Sequence, residues 1–309
     1  MREHDNAAGG PARLVEIADG VHAYVQPDGG WCLNNAGIIT APGAGAVVVD
    51  TAATERRALA LRDTVDRLAE GTRRIVVNTH FHGDHVFGNA AFGPAATVIA
   101  HAGTRDEIIE TGTQLTGLWP DVDWGEVSVV PPDVTHTDGL TVHLGERRIE
   151  LLSMGPAHTR HDTVVWLPAE RVLFTGDIVM PGCTPFVPMG TVAGSLAALD
   201  RMRALRPRVV VGGHGPVSGP AAFDETERYL RWVRKVAAEG AAAGLTPLET
   251  ARRAARGGFG SLLDPERLVG NLRRAWLELD GGELARPMNV AEMFGELVEF
   301  HGGLPACHA

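Results

Sequence analysis

The sequence predicts an α/β layered domain followed by a helical extension, and three observations carry that reading. Up to about residue 220, short apolar runs alternate with amphipathic helical segments, the pattern of sheets covered by helices. Four of the apolar runs lead to aspartate or histidine: Val47-Val48-Val49 to Asp50, Ile75-Val76-Val77 to His80, Val172-Leu173-Phe174 to Asp177, and Val209-Val210-Val211 to His214. Strands this apolar are buried on both faces, and ligand clefts in α/β sheets form beyond strand ends. Packing alone does not explain four such ends, which point to one polar site. From Phe223 onward only helical signals remain.

Residues 1–13 read as a polar tail. Leu14 to Val25 reads as a hairpin about the Asp19-Gly20 turn. Ala36–Thr40 and Gly45–Asp50 are two further strands around Ala41-Pro42-Gly43-Ala44. Thr54 to Gly71 carries Leu59, Leu61, Val65 and Leu68 among charges, which predicts an amphipathic helix stopped by glycine. Strands are expected at 74–79, 96–101, 149–153, 163–167, 172–175 and 209–211, with a helix over 195–205. In the extension, Phe223–Gly244 puts Tyr229, Leu230, Val233 and Val236 on one face. Thr246-Pro247-Leu248-Glu249 forms a capping box with proline at the first helical position. Asp264-Pro265 opens a helix that stops at Gly281-Gly282, and 289–300 forms a last one closed by Gly302-Gly303. The domain boundaries are therefore a tail over 1–13, a catalytic domain over 14–220 and a helical extension over 221–309.

Composition narrows the function. The 28 Lys+Arg against 38 Asp+Glu leave a formal charge of −10, which suits neither nucleic acid nor an anionic membrane surface as partner. No apolar run approaches membrane-spanning length. Residues 1–13 lack the basic-then-apolar order of a secretion signal. Cys32, Cys183 and Cys307 form no C-x-x-C pair and no disulfide framework. Together these read as a cytoplasmic protein. The 13 histidines are the informative excess.

Six of the residues that follow the second strand end concentrate the chemistry: His80-Phe81-His82-Gly83-Asp84-His85. Residues i and i+2 of an extended segment point the same way, so His80 and His82 can share one cation. Gly83 permits a tight turn that re-aims Asp84 and His85 toward a second position. His158, Asp177 and His214, each beside glycine or a proline-containing turn, complete a set sufficient for two ions. Imidazoles and carboxylates without thiolate suit zinc and also accept iron or manganese. Two such cations sharing a water lower its pKa toward about 7 and polarise a carbonyl, so hydrolysis of an acyl bond is the natural reaction.

The order Asp50, His80-x-His82-x-Asp84-His85, His158, Asp177, His214 resembles the metallo-β-lactamase superfamily over roughly residues 14 to 220. The resemblance implies a four-layer αβ/βα sandwich with a dinuclear centre, normally two zinc ions, at one edge. It assigns His80, His82 and His158 to the first metal and Asp84, His85 and His214 to the second. Asp177 would bridge them, and Asp50 would orient the ligand loop without binding metal. Asp84 and Asp177 are the candidate catalytic carboxylates. His161-Asp162, three residues past a ligand, reads either as a pair with an orienting role, His161 the first candidate, or as an ordinary turn. His101 reads as structural and Cys183 as a small loop residue, while His4, His22, His136, His143, His301 and His308 carry no assigned role.

Within the superfamily, the familiar zinc β-lactamases have cysteine where this chain has Asp177, and oxygen-reducing di-iron relatives have glutamate where it has His82. Three segments, 29–37, 117–125 and the tail ending Gly302-Gly303-Leu304-Pro305, resemble a branch from aromatic polyketide pathways. Its members act as second-ring cyclases and thioesterases after a type II polyketide synthase. That resemblance implies an acyl substrate carried on an acyl carrier protein, with Trp31, Trp119 and Trp124 lining a pocket for a flat polyphenol. A general hydrolase of small thioesters or lactones uses the same metal site equally well. A metal-free binding protein is the third reading, and the intact ligand set argues against it.

Overall fold

Strand residues here alternate between two hydrophobic cores. In the computed structural model, which describes residues 9–255 and 257–309, the strands are β1 (Arg13–Ala18), β2 (Val21–Val25), β3 (Ala36–Ala41), β4 (Gly45–Val49), β5 (Arg74–Val77), β6 (Thr97–His101), β7 (Val134–His136), β8 (Gly139–Leu144), β9 (Arg147–Ser153), β10 (Thr163–Leu167), β11 (Val172–Phe174) and β12 (Val209–Val211). The helices are α1 (Glu55–Leu68), α2 (Gly83–Val86), α3 (Ala102–Thr111), α4 (Val192–Ala204), α5 (Ala221–Ala242), α6 (Pro247–Ala254), α7 (Leu268–Glu278) and α8 (Val290–His301). Residues 1–8 of the expected tail, His4 among them, lie outside the described residues. Gly9 already donates to the carbonyl of Pro27 (3.1 Å).

The strands form a seven-stranded sheet in the order β1-β2-β3-β4-β5-β6-β7 and a five-stranded sheet in the order β12-β11-β10-β9-β8. Ile39, Val47, Val49, Ile75, Val77 and Ile99 of the first sheet meet Val142, Leu151, Val165, Leu167 and Val172 of the second. Their neighbours Ile38, Val48, Val76 and Val98 point the other way and pack with Leu61 and Val65 of α1. Val164, Trp166, Leu173 and Val210 likewise turn outward to Leu199 and Met202 of α4 and to the C-terminal helices. Period-two side chains that are apolar at every position require cover on both faces. The result is an αβ/βα sandwich with added C-terminal helices. No helix among the described residues is long and apolar enough to cross a membrane.

Most predicted elements are present within a few residues. Gly20 takes a left-handed φ of +63° at the hairpin turn. Thr246 and Glu249 make the reciprocal capping bonds (2.8 and 3.2 Å), and Gly302 closes α8 at φ +86°. Three elements are additional to those expected: β7, β8 and α3. Only Thr104 and Ile108 of the 10 residues of α3 are buried, and β8 is a half-exposed edge strand paired with β9. Neither has strong hydrophobic periodicity.

Two topological facts place the site. β4 and β5 run parallel in one sheet and β11 and β12 run parallel in the other. Asp50, His80, Asp177 and His214 therefore emerge from strand C-terminal ends. In addition, a buried polar stripe on and just before α7 holds the segment between Asp177 and α4. Arg267 donates to the Thr184 carbonyl (3.3 Å) and Asn271 donates to the Pro185 carbonyl (2.6 Å) and accepts from Val187 N (2.8 Å). Arg274 donates to the Pro188 carbonyl (2.9 Å), and Glu278 accepts from the first amides of α4, Val192 and Ala193 (2.8 and 3.1 Å). Spacings of four, three and four residues put these side chains on one helix face. The extension thus shares its core and its polar contacts with the site-bearing segment.

Replacing Asn271 by Ala leaves Val187 N and the Pro185 carbonyl buried without partners, at about 1–3 kcal/mol for such a loss. Urea unfolding is expected to show an unchanged slope and a midpoint lowered by that free energy divided by the slope. An unchanged midpoint would refute the anchoring role.

Candidate metal centre

Each histidine of the expected ligand set except His82 has one ring nitrogen engaged with the protein and the other aimed at the centre. His80 Nδ1 meets Thr79 Oγ1 (2.9 Å), His85 Nδ1 meets Asp50 Oδ2 (2.8 Å), His158 Nδ1 meets the Phe186 carbonyl, and His214 Nδ1 meets the Gly29 carbonyl (3.0 Å). A proton held at Nδ1 leaves the Nε2 lone pair free, the arrangement that metal-binding imidazoles use. His82 is reversed: Nδ1 faces His80 Nε2 (3.1 Å) and His158 Nε2 (2.9 Å), and Nε2 reaches Met189 Sδ (3.4 Å).

Ligand atoms of His80, His82, His158 and Asp177 all lie within 4.8 Å of one another, as do those of Asp84, His85 and His214. The Asp177 carboxylate joins the groups. Its Oδ2 stands 3.6 Å from His158 Nε2, 3.5 Å from His214 Nε2 and 3.9 Å from His80 Nε2, and its Oδ1 stands 3.2 Å from His85 Nε2. Asp84 Oδ2 lies 3.3 Å from His214 Nε2. Yet His85 Nε2 and Asp177 Oδ1, both buried, face each other without hydrogen-bond geometry and have no other partner. Orphaned donors-to-metal in so tight a set fit cations, because buried polar groups otherwise find partners. A His₃-carboxylate and an Asp-His₂-carboxylate position, free of thiolate, suit zinc and accept iron or manganese.

Backbone geometry makes this convergence possible. Asp50, buried at the end of β4, accepts from Thr79 N and Thr79 Oγ1 (2.7 Å each) as well as from His85, so it orients both ends of the 80–85 segment. Gly83 is needed for a reason other than a turn: a Cβ there would lie 2.4 Å from the Phe87 ring. At Gly213 a Cβ would lie 1.8 Å from Asp177 Oδ1. Asn35 donates to the carbonyls of Gly212 and Gly215 (2.9 and 2.8 Å) and so steadies His214.

Three expected site residues sit elsewhere. His161 is not beside the centre; its ring stacks on His101 at 4.8 Å, and His101 itself caps α3 through Gly103 N (3.0 Å). The adjacent Asp162 does the orienting, accepting from Ala157 N (3.1 Å), Thr159 N (2.9 Å) and Thr159 Oγ1 (2.8 Å) around His158. Trp119 and Trp124 are buried, with their indole N–H groups donated to the Pro305 and Trp119 carbonyls (2.7 and 3.1 Å). They build the wall behind the site rather than its surface. Trp31 alone of the three is half-buried, with its ring edge-on to Phe186 (5.3 Å), its N–H on Glu266 Oε1 (2.6 Å) and the Arg267 guanidinium 4.3 Å over its face. Of the pair His161-Asp162 named in the sequence, Asp162 takes the orienting role, whereas Asn35 and the α7 stripe were not singled out. A polar residue at every helical turn of an otherwise apolar face was the available signal for the stripe. Cys183 is a buried loop residue touching the Gly29 carbonyl.

Charge follows the geometry. Burial pushes His80 well below its ordinary pKa and His82 down to about 3, so both are neutral. At His85 and His214 burial acts in the same direction, but the carboxylates outweigh it: Asp177 above all raises both, His214 to about 9. Burial is similarly outweighed at Asp84, held at about 2 by His85 and His214, and at Asp177, held low by His214 and His85.

Fold and site together define a metal-dependent hydrolase of the αβ/βα sandwich class. The family model of the metallo-β-lactamase superfamily matches residues 29–214, and the chain belongs to that superfamily. It is 24% identical over 226 residues to a type 2 metallo-β-lactamase of Bacteroides fragilis, covering 70% of this chain and 84% of that one. It is 23% identical to a linear primary-alkylsulfatase of a Pseudomonas species (60% of this chain, but only 43% of the sulfatase). Over 133 residues it is 32% identical to a hydroxyacylglutathione hydrolase of Methylococcus capsulatus, covering 42% and 43% of the two chains. The DIM-1 metallo-β-lactamase structure superposes with a TM-score of 0.57 at 18% identity, covering 72% of this chain and 98% of that one. A metallo-β-lactamase from Pontibacter korlensis gives 0.56 at 22% identity, covering 71% and 99%.

Metal uptake must displace the proton that His214 holds below about pH 9. Zinc affinity is therefore expected to rise from pH 6 to pH 9, with proton release in calorimetry at neutral pH. In the metal-free fold the sign is opposite. A histidine raised from 6.5 to about 9 stabilises fully below 6.5, and that contribution fades as pH climbs through 9. Affinity independent of pH would contradict the assignment of His214.

Proposed function

We propose that this hydrolase cleaves an acyl thioester, and that its acyl group is an aromatic polyketide on an acyl carrier protein whose second ring the same site closes by aldol condensation. One observation carries the reading. Phe186 accepts from His158 through its carbonyl while its ring meets Trp31, so an aromatic wall begins at the ligand set itself. A flat acyl chain lying along this wall would reach the ligand set. The thioester half draws on the likeness to the hydroxyacylglutathione hydrolase. The ring-closing half draws on the resemblance of segments 29–37 and 117–125 to the polyketide branch.

His80, His82 and His158 would hold one divalent cation and Asp84, His85 and His214 a second, with Asp177 between the two groups. Such cations would supply an acidified water and a Lewis acid for the carbonyl. The chain's own groups arrange the rest. Asp84 and Asp177 stay ionised at neutral pH, so they accept hydrogen bonds and hold the attacking water toward the acyl carbon. Asp50 and Asp162 fix the ligand segments and remain away from substrate. Water adds to the acyl carbon, the C–S bond breaks, and the departing sulfur leaves as thiol with the proton. For the aldol step a base at the site would take the proton from the carbon between two ketones. That carbon would bond to a second carbonyl carbon whose oxygen takes up the proton, and this hydroxyl would leave as water with a second α-proton.

A second reading, a hydrolase of small thioesters or lactones, is favoured by the burial of Trp119 and Trp124, which narrows the aromatic surface to Trp31 and Phe186. The two readings separate in one assay. Metal-loaded protein is expected to convert a monocyclic aromatic polyketide thioester into a bicyclic product with release of thiol. Rapid turnover of simple lactones, with no cyclisation of that thioester, would overturn the first reading and leave the second.

A further inference from the structure

Two cysteines from opposite ends of the chain meet beside the aromatic wall. Cys32 lies in the loop between β2 and β3, next to Trp31, and is buried with a left-handed φ of +63°. Cys307 lies in the strap, residues 302–309, that follows α8. The strap is tied at three points. The Pro305 carbonyl accepts from Trp119 Nε1 (2.7 Å), the His308 carbonyl accepts from Arg57 (2.8 Å), and Cys307 Sγ donates to the Trp31 carbonyl (3.6 Å). That last contact brings the Cys307 sulfur to the backbone of the residue that precedes Cys32.

We propose that Cys32 and Cys307 are a reversible oxidation site for peroxide, closing to a disulfide that staples the C-terminal strap to the loop beside the metal centre. The two thiols are unequal in the way such a pair requires. Cys307 is half-buried, and contact with Cys32 lowers its pKa, whereas Cys32 is buried and raised by the same contact. An acidified, reachable thiol beside a second thiol is the arrangement in which peroxide attacks one sulfur and the other resolves it. The Cys307 thiolate takes one oxygen from hydrogen peroxide, giving a sulfenic acid and hydroxide. The Cys32 thiol then displaces that oxygen as water, so two thiols and one peroxide give one disulfide and two waters.

The consequence falls on the loop that supports His214. Gly29 and Asn35, flanking Cys32, hold the His214 ring and its backbone. Hydrogen bonds that can open become a covalent tie between that loop and the strap. Cys183 provides an internal control. It is buried, burial pushes its thiol up to about 12, and its sulfur is engaged with the Gly29 carbonyl, so it stays reduced.

The test uses the full chain treated with hydrogen peroxide, digested without reduction and mapped by mass spectrometry. A peptide linking Cys32 to Cys307, with Cys183 still free to alkylate and the link removed by dithiothreitol, is expected. Amide exchange over residues 303–309 should slow about tenfold on oxidation and recover on reduction. C32S should accumulate a Cys307 sulfenic acid that dimedone traps, and C307S, altered only in the strap, should leave Cys32 unmodified. A link through Cys183, over-oxidised Cys307 with Cys32 free, or exchange unchanged by oxidation would each overturn the proposal. None of these readouts depends on which acyl substrate the centre hydrolyses.

Discussion

The Asp177 carboxylate lies 3.2 Å from His85 Nε2 on one side and 3.6 Å from His158 Nε2 on the other, buried where the C-terminal ends of two sheets meet. Around it stand Asp50, Asp84 and five imidazoles, nearly all removed from water. A carboxylate in such a place is costly unless it is paired. The protein's own histidines pair it only partly: two of the five are kept neutral by burial, and two atoms at the centre have no partner. Cations resolve that conflict, turning mutual repulsion among lone pairs into coordination. The direction of every pKa shift in the cluster follows from this crowding.

Holding the cluster together takes contributions from far along the chain. Asp50 works from β4, Asp162 from the turn before β10, Asn35 from the loop after β2, and Asn271 and Arg274 from α7. Each removes a degree of freedom from a ligand-bearing segment, and together they set the imidazoles before any metal arrives. The helices after residue 220 are part of this support. They grip the segment that carries Phe186, whose carbonyl orients His158, and whose ring opens the aromatic wall to Trp31.

Much of this was readable from the sequence because the signals were local. Asp19-Gly20 specifies a hairpin turn, Thr246-Pro247-Leu248-Glu249 a helix start, and the apolar runs ending in Asp50, His80, Asp177 and His214 the edge where a polar site forms. His80 to His85 shows its chemistry within six residues. What was not readable depends on tertiary neighbours. Nothing local distinguishes His161 from Asp162; only the fold turns one ring onto His101 and the other carboxylate onto the amides around His158. Trp119 and Trp124 look like pocket residues until their indole N–H groups are found donated to backbone carbonyls. Gly83 reads as a turn residue, whereas its role is to admit the ring of Phe87. α3 and β8 escaped because neither buries a regular stripe.

On the proposed arrangement Asp177 joins two adjacent cation positions. Metal content of the protein and of Asp177→Ala, measured by elemental analysis after zinc loading and gel filtration, tests it directly. About two equivalents per chain are expected for the native protein, and a clear loss for the variant at unchanged far-ultraviolet circular dichroism. Native protein that retains less than one equivalent of zinc, iron or manganese, or a variant that retains two, would contradict it.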